Sequence, residues 1–183
     1  MKKKKTPRLC IRLGLLYMLR NEIPQAMQEF RNALKLDQTN IVALQKLAHL
    51  HTLADEHKEA LPYYEKVVGL SSDDQDMRFG LACCYELNER FAEALATFLT
   101  VAELRPDFEK IDYHIARLRM RAEEFDKAAE SLEKALSSYP DDEEVVDLKQ
   151  QLEKRRKETT KSTEAPAKKR SSKRSEAKKN EQE

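Results

Sequence analysis

The stretch HIARLRMR, from His114 to Arg121, alternates basic with apolar residues and places arginines at 117, 119 and 121. Guanidinium groups fork onto carboxylates and phosphates. The stretch therefore offers three chemistries: a grip on nucleic acid, a patch for an acidic partner, or the solvated side of a helix. Lys110 and Tyr113 lie just upstream. On a helix Lys110, His114, Arg117 and Arg121 would share one face, where like charges repel by about 0.2–0.5 kcal/mol per pair and need compensation.

Other reactive residues do not assemble into a catalytic set. Glycine occurs only at 14, 69 and 80, so there is no glycine-rich phosphate loop, and neither GxSxG nor HExxH appears. His49 and His51 are two residues apart, on different faces of a helix, and cannot form a paired metal site. Cys10, Cys83 and Cys84 form no CxxC motif and no even disulfide framework, which suits a reducing compartment. The acidic pairs at 73–74 and 141–142 suit turns and helix starts. With no nucleophile, base, cofactor site or metal site, the chain is read as non-enzymatic.

The elements that must position these residues are helical. In 183 residues, 37% are charged and 7% aromatic, with no Trp, three Gly and six Pro. That is a helix-forming composition. Overall charge is +1, but it is segregated: +5 over Met1–Arg8, +5 over Arg156–Glu183, and −9 between them. An acidic body argues against a globular nucleic-acid binder, although basic ends keep nucleic-acid association through those segments as the alternative function. The basic and apolar start imitates a secretory signal, but Arg12 interrupts it and no small-residue cleavage site follows. No apolar run approaches the roughly 20 residues that span a bilayer. The expected location is cytoplasmic, or nuclear in a eukaryote if KKRSSKR acts as an import signal.

Four gapless blocks of 34 residues start at Pro7, Ile41, Gln75 and Glu109. Equivalent positions align as Leu13, Leu47, Leu81 and Ile115; as Gly14, Ala48, Ala82 and Ala116; and as Ala26, Ala60, Ala94 and Ala128. Two further columns are Phe30, Tyr64, Phe98 and Leu132, then Ala33, Val67, Val101 and Ala135. Each block reads as two amphipathic helices, with Pro24 starting one and Pro106 and Pro140 stopping others. Pro62 falls near enough to a helix start to lose one backbone bond at most. Small residues mark where helices cross closely, and aromatics fill the space beside them.

This pattern resembles the tetratricopeptide repeat. The first block carries Leu13, Gly14, Tyr17, Ala26, Phe30 and Ala33; the third carries Leu81, Ala82, Tyr85, Ala94, Phe98 and Pro106. Departures are Arg78 and Asp112 in place of the first apolar residue, Arg119 in place of the tyrosine, and Gln38 and Ser72 in place of the proline. The resemblance implies an all-α solenoid of helix-turn-helix repeats wound into a right-handed superhelix. Expected boundaries are a basic lead 1–6, repeats 7–40, 41–74, 75–108 and 109–142, a capping helix 143–157, and a disordered basic tail 158–183. The tail is compatible with import, weak phosphate binding or solubilisation.

The resemblance also implies a groove lined by the first helix of each repeat. It accepts a partner peptide or helix, and the chain is expected to act as a scaffold. Ile11, Leu15, Met18 and Leu19 would face it in the first repeat, then Gln45, Lys46, His49 and Thr52, then Asp76, Phe79, Cys83 and Glu86. The fourth repeat would add Lys110, Tyr113, His114, Arg117 and Arg121. A groove apolar at one end and basic at the other suits a ligand with apolar anchors and an acidic end. The partner-binding residues expected are Lys110, Tyr113, His114, Arg117, Arg121, Phe79, Leu15 and Ile11. Pairing of the basic stripe with Glu86, Glu144 and Asp147 is the competing reading. His49 and Cys83 would face each other as two ligands, too few for zinc. Of the carboxylate-clamp positions that hold chaperone tails in this family, only Lys110 conforms, which disfavours that ligand. Arg119 is expected to face the capping helix in a local ion pair. Since LCIRLGLLYML is apolar almost all round, a second copy, a partner or preceding repeats are expected to cover it.

Overall fold

The computed structural model describes residues 5–159; most of the expected basic lead and tail lies outside them. Among the described residues the chain is all-α. The helices are α1 (Pro7–Leu19), α2 (Ile23–Leu36), α3 (Ile41–Leu53), α4 (His57–Leu70), α5 (Gln75–Leu87), α6 (Phe91–Leu104), α7 (Ile111–Arg121) and α8 (Phe125–Ser138). A further helix, α9, covers 143–159. They form two compact units, the first running to Ile111 and the second starting at Asp112. In the first, α1–α2, α3–α4 and α5–α6 are helical hairpins, and α2 packs on α3 as α4 packs on α5. In the second, α7, α8 and α9 share one apolar cluster that includes Ala116, Ala128, Leu132, Val145, Leu148 and Leu152.

Local chemistry sets the helix starts. Thr6, Asn40 and Asp74 each place a side-chain oxygen on the backbone N–H three residues on, at Leu9, Ala43 and Met77. Asp142 does the same for Val145 at the start of α9. This satisfies an N–H that a helix end leaves bare. Pro24 sits in the first turn of α2, where a missing N–H costs nothing. Pro62 lies inside α4 on its exposed side.

Each hairpin turns through a left-handed residue: Asn21, Asp55, Glu89 and Glu123, with φ near 60° and 34 residues apart. The next residue's N–H reaches back to Tyr17 O, His51 O, Tyr85 O and Arg119 O at 2.9 Å. That 6→1 bond closes the preceding helix and fixes the reversal.

The alanine column, the aromatic column and the Ala33–Val67–Val101–Ala135 column are buried throughout, as are Gly14, Ala48, Ala82 and Ala116. Leu13 alone in its column is half-buried. Gly14 shows why a small residue is needed: a Cβ there would lie 2.8 Å from the Phe30 ring.

Candidate functional site

The basic stretch lies on α7, whose start departs from the other first helices. The capping column reads Asn40, Asp74, Phe108 and Asp142, so the fourth hairpin has a phenyl ring where its neighbours have a cap. α7 consequently begins at Ile111 and has 11 residues against 13 in α1, α3 and α5. Lys110, expected on the helix, instead precedes it in left-handed conformation at φ 53°. Phe108 stacks on Phe79 at 4.7 Å, and the Arg105 guanidinium sits 4.6 Å above its ring.

Along α7 the two chemistries of HIARLRMR separate. Ile115, Ala116, Leu118 and Met120 are buried, whereas Tyr113, His114 and Arg117 are half-buried and Arg121 is exposed. The Arg117 guanidinium lies 5.5 Å from the Tyr113 ring centre, and Tyr113 meets the His114 ring edge-on at 5.5 Å. An arginine stacked on an aromatic one turn earlier loses less freedom on binding a carboxylate than a loose one. Asp112, beside this face, has its carboxyl pushed above the ordinary value by burial, with Lys134 and Arg119 pulling the other way.

Arg119 corrects the sequence reading. Its guanidinium donates to Lys127 O at 3.1 Å and Ser131 Oγ at 2.8 Å on α8, rather than to a carboxylate of the capping helix. The reason is local: the turn at Glu123 folds α8 back on α7 and brings the Lys127 carbonyl and the Ser131 hydroxyl within reach. In the first unit the same column finds other partners: His51 meets Arg31 at 3.4 Å, and Tyr85 donates to Glu65 at 3.0 Å.

In the first unit, Ile11 is half-buried against the α1–α3 core and Leu15 is 37% exposed. Phe79 is half-buried, edge-on to Phe98 at 5.4 Å and stacked on Phe108. The structure thus brings Tyr113, His114 and Arg117 together on α7 and Ile11 with Leu15 on α1, while Phe79 sits in an aromatic cluster of its own. His51 is 3% exposed, with Nδ1 2.7 Å from Glu56 and its ring stacked on Tyr63 at 5.5 Å. Since Nε2 faces an Arg31 donor, it accepts, and Nδ1–H donates to Glu56.

Burial pushes the Cys84 thiol up to about 11, so it packs rather than reacts. Among the described residues no group of three or more His, Cys, Asp or Glu side chains is placed to hold a metal ion, and no helix is long and apolar enough to cross a membrane. Leu19, expected to face the groove, has Leu53 and Leu87 as its equivalents at 34-residue spacing. These are the last residues of α1, α3 and α5, exposed at 85%, 69% and 55%.

Models of the tetratricopeptide repeat match residues 7–40, 51–109 and 88–152. The chain belongs to the tetratricopeptide repeat family. No curated protein matches it in sequence. Among solved structures this repeat protein resembles a MamA protein, with TM-score 0.68 and 19% identity over 73% of each chain. It also resembles MamA from Desulfovibrio magneticus RS-1, with TM-score 0.65 and 20% identity over 75% of this chain and 77% of that one. YrrB, described as a repeat protein of this family with an unusual peptide-binding site, matches with TM-score 0.52 and 23% identity over 78% of this chain and 91% of its own. At these identities the likeness is one of fold: an all-α solenoid of tetratricopeptide repeats.

Proposed function

We propose that this chain is a non-enzymatic interaction module that binds a partner polypeptide, with the α7 face taking an acidic segment of that partner. The observation that carries the reading is the ordered stripe on α7, in which Arg117 is braced by Tyr113 and Arg121 is exposed one turn further on. His114 lies on the same face, and Lys110 adds a basic group just before the helix. In the first unit Ile11, Leu15 and Phe79 are the proposed acceptors for apolar anchors, a separate surface in this reading. The family's scaffold role supports it, as does the peptide-binding site ascribed to the structural relative YrrB. Guanidinium groups bind carboxylates in bidentate, charge-assisted fashion, which suits an acidic peptide better than a neutral one.

The test is titration of a synthetic Glu-rich peptide onto the chain ending at Thr159, which removes the basic tail as a competing site. Arg117→Glu with Arg121→Glu should weaken binding about tenfold or more, the scale of losing one charge-assisted contact. Equal binding by the double variant would sink the proposal. Binding that disappears with the tail, and a steep salt dependence of the full chain on DNA or RNA, would favour nucleic-acid association instead.

A further inference from the structure

Leu9, Leu13 and Leu16 lie on one side of α1, with Arg12 and Arg20 among them and Tyr17 at the edge. Ile11, Leu15 and Met18, the residues expected to face the groove, lie on another side. In later first helices the leucine columns pack on the second helix that precedes them. Ala43, Leu47 and Leu50 of α3 share an apolar cluster with Met27 and Phe30 of α2. Leu81 and Cys84 of α5 share one with Tyr64 of α4, and Val145 and Leu152 of α9 share one with Leu132 of α8. Leu50, Cys84 and Leu152 are consequently 1%, 2% and 4% exposed, whereas Leu16 in the same column is 55% exposed, and Leu9 is 39% exposed. The side of α1 that the repeat shapes to receive a helix is therefore open.

The groups around the leucines define the helix that fits. α1 carries three arginines and no acidic residue, and Arg12 and Arg20 are exposed. Glu29 of α2 is already held by Lys5 at 2.8 Å. Tyr17 occupies the position of Tyr85, whose hydroxyl donates to Glu65 on the preceding second helix at 3.0 Å. A carboxylate is thus the partner that Arg12, Arg20 and Tyr17 have in common. A second copy packed α1 on α1 would set arginine against arginine. The exposed side of α9 carries Glu143, Asp147, Gln150 and Gln151, so a copy presenting that end would bring no apolar cover.

We infer that the open side of α1 is a docking surface for an acidic amphipathic helix of a partner protein, whose apolar side chains cover Leu9, Leu13 and Leu16 while its carboxylates meet Arg12, Arg20 and the Tyr17 hydroxyl. That helix lies on α1 as α4 lies on α5. Apolar contact supplies affinity, and the arginines select the sign of the ligand. This surface requires an apolar stripe on its ligand, whereas the α7 face requires charge, so the two can be tested apart.

The probe is a synthetic helical peptide with Leu on one face and Glu on the other, titrated onto the full chain beside a scrambled peptide of the same composition that has no apolar face. The basic tail and the α7 face meet the same charge in both peptides, so the difference between them reads α1. The amphipathic peptide should bind about tenfold or more tightly, as expected for covering exposed leucines. Leu9→Ser with Leu16→Ser, both at exposed positions, should remove that difference. Arg117→Glu with Arg121→Glu should keep it, so failure of this inference and failure of the α7 reading give different results. Arg12→Glu with Arg20→Glu should weaken the Leu/Glu peptide and strengthen a Leu/Lys counterpart. Equal binding of the ordered and scrambled peptides by the unaltered chain, a difference that survives the leucine variant, or no change of charge preference in the Arg12 and Arg20 variant would overturn the inference. So would self-association of the chain that the leucine variant abolishes, because the occupant would then be a second copy.

Discussion

At the scale of single residues, columns 34 apart decide most of what each side chain does, and the exceptions carry the information. Arg78 and Asp112 both occupy the family's first apolar position. Arg78 sends its guanidinium to Ser72 O at 2.6 Å and so reaches an exposed carbonyl. Asp112 has no such reach, and burial lifts its carboxyl above the usual value. A raised carboxyl favours the folded state when protonated, and that contribution is lost as pH rises through its folded value. At neutral pH the ionised Asp112 therefore costs stability. Asp112→Asn should raise the melting temperature at pH 7, with the gain shrinking as pH falls into the carboxylate range; a gain independent of pH would exclude this cause. The sequence made Asp112 visible as a departure, but its sign of effect required the burial.

At the scale of elements, the breaks between helices were readable because capping and hairpin turns have local chemistry. Asn40, Asp74 and Asp142 announce helix starts, and the buried columns announce the faces. The late start of α7 was not foreseen, because the block spacing stays at 34 while the cap at Phe108 is missing. Backbone fit at the glycines gives a paired prediction. At Gly80 a Cβ would lie 2.6 Å from the ring of Tyr64, which is buried and hydrogen-bonded to Thr52 at 3.2 Å. Gly80→Ala should destabilise by about 1–3 kcal/mol through overpacking. A Cβ at Gly69, inside α4, would meet nothing within 4 Å, so Gly69→Ala should stabilise by about 0.5–1 kcal/mol through helix propensity. Denaturant unfolding of both variants measures the contrast, and equal signs would contradict it.

For the whole molecule, the family and the all-α solenoid followed from periodicity, because close helix crossings force small and aromatic residues into fixed columns. The binding surfaces were less legible. Groove columns by analogy gathered Ile11, Leu15, Phe79, Lys110 and the α7 residues into one set. In the structure Phe79 is engaged with Phe98 and Phe108, and Lys110 stands off the helix. Exposure, which no spacing rule supplies, set Leu9 and Leu16 apart from the buried members of their columns. Charge segregation adds that basic ends flank an acidic body, so a tail-free chain gives the clean reading of any acidic ligand. The most direct measurement is an NMR titration of a Glu-rich peptide onto the chain ending at Thr159, following backbone and arginine side-chain signals. Shifts concentrated on Tyr113, His114, Arg117 and Arg121 are the predicted result; saturable binding that leaves those four unmoved would contradict the account.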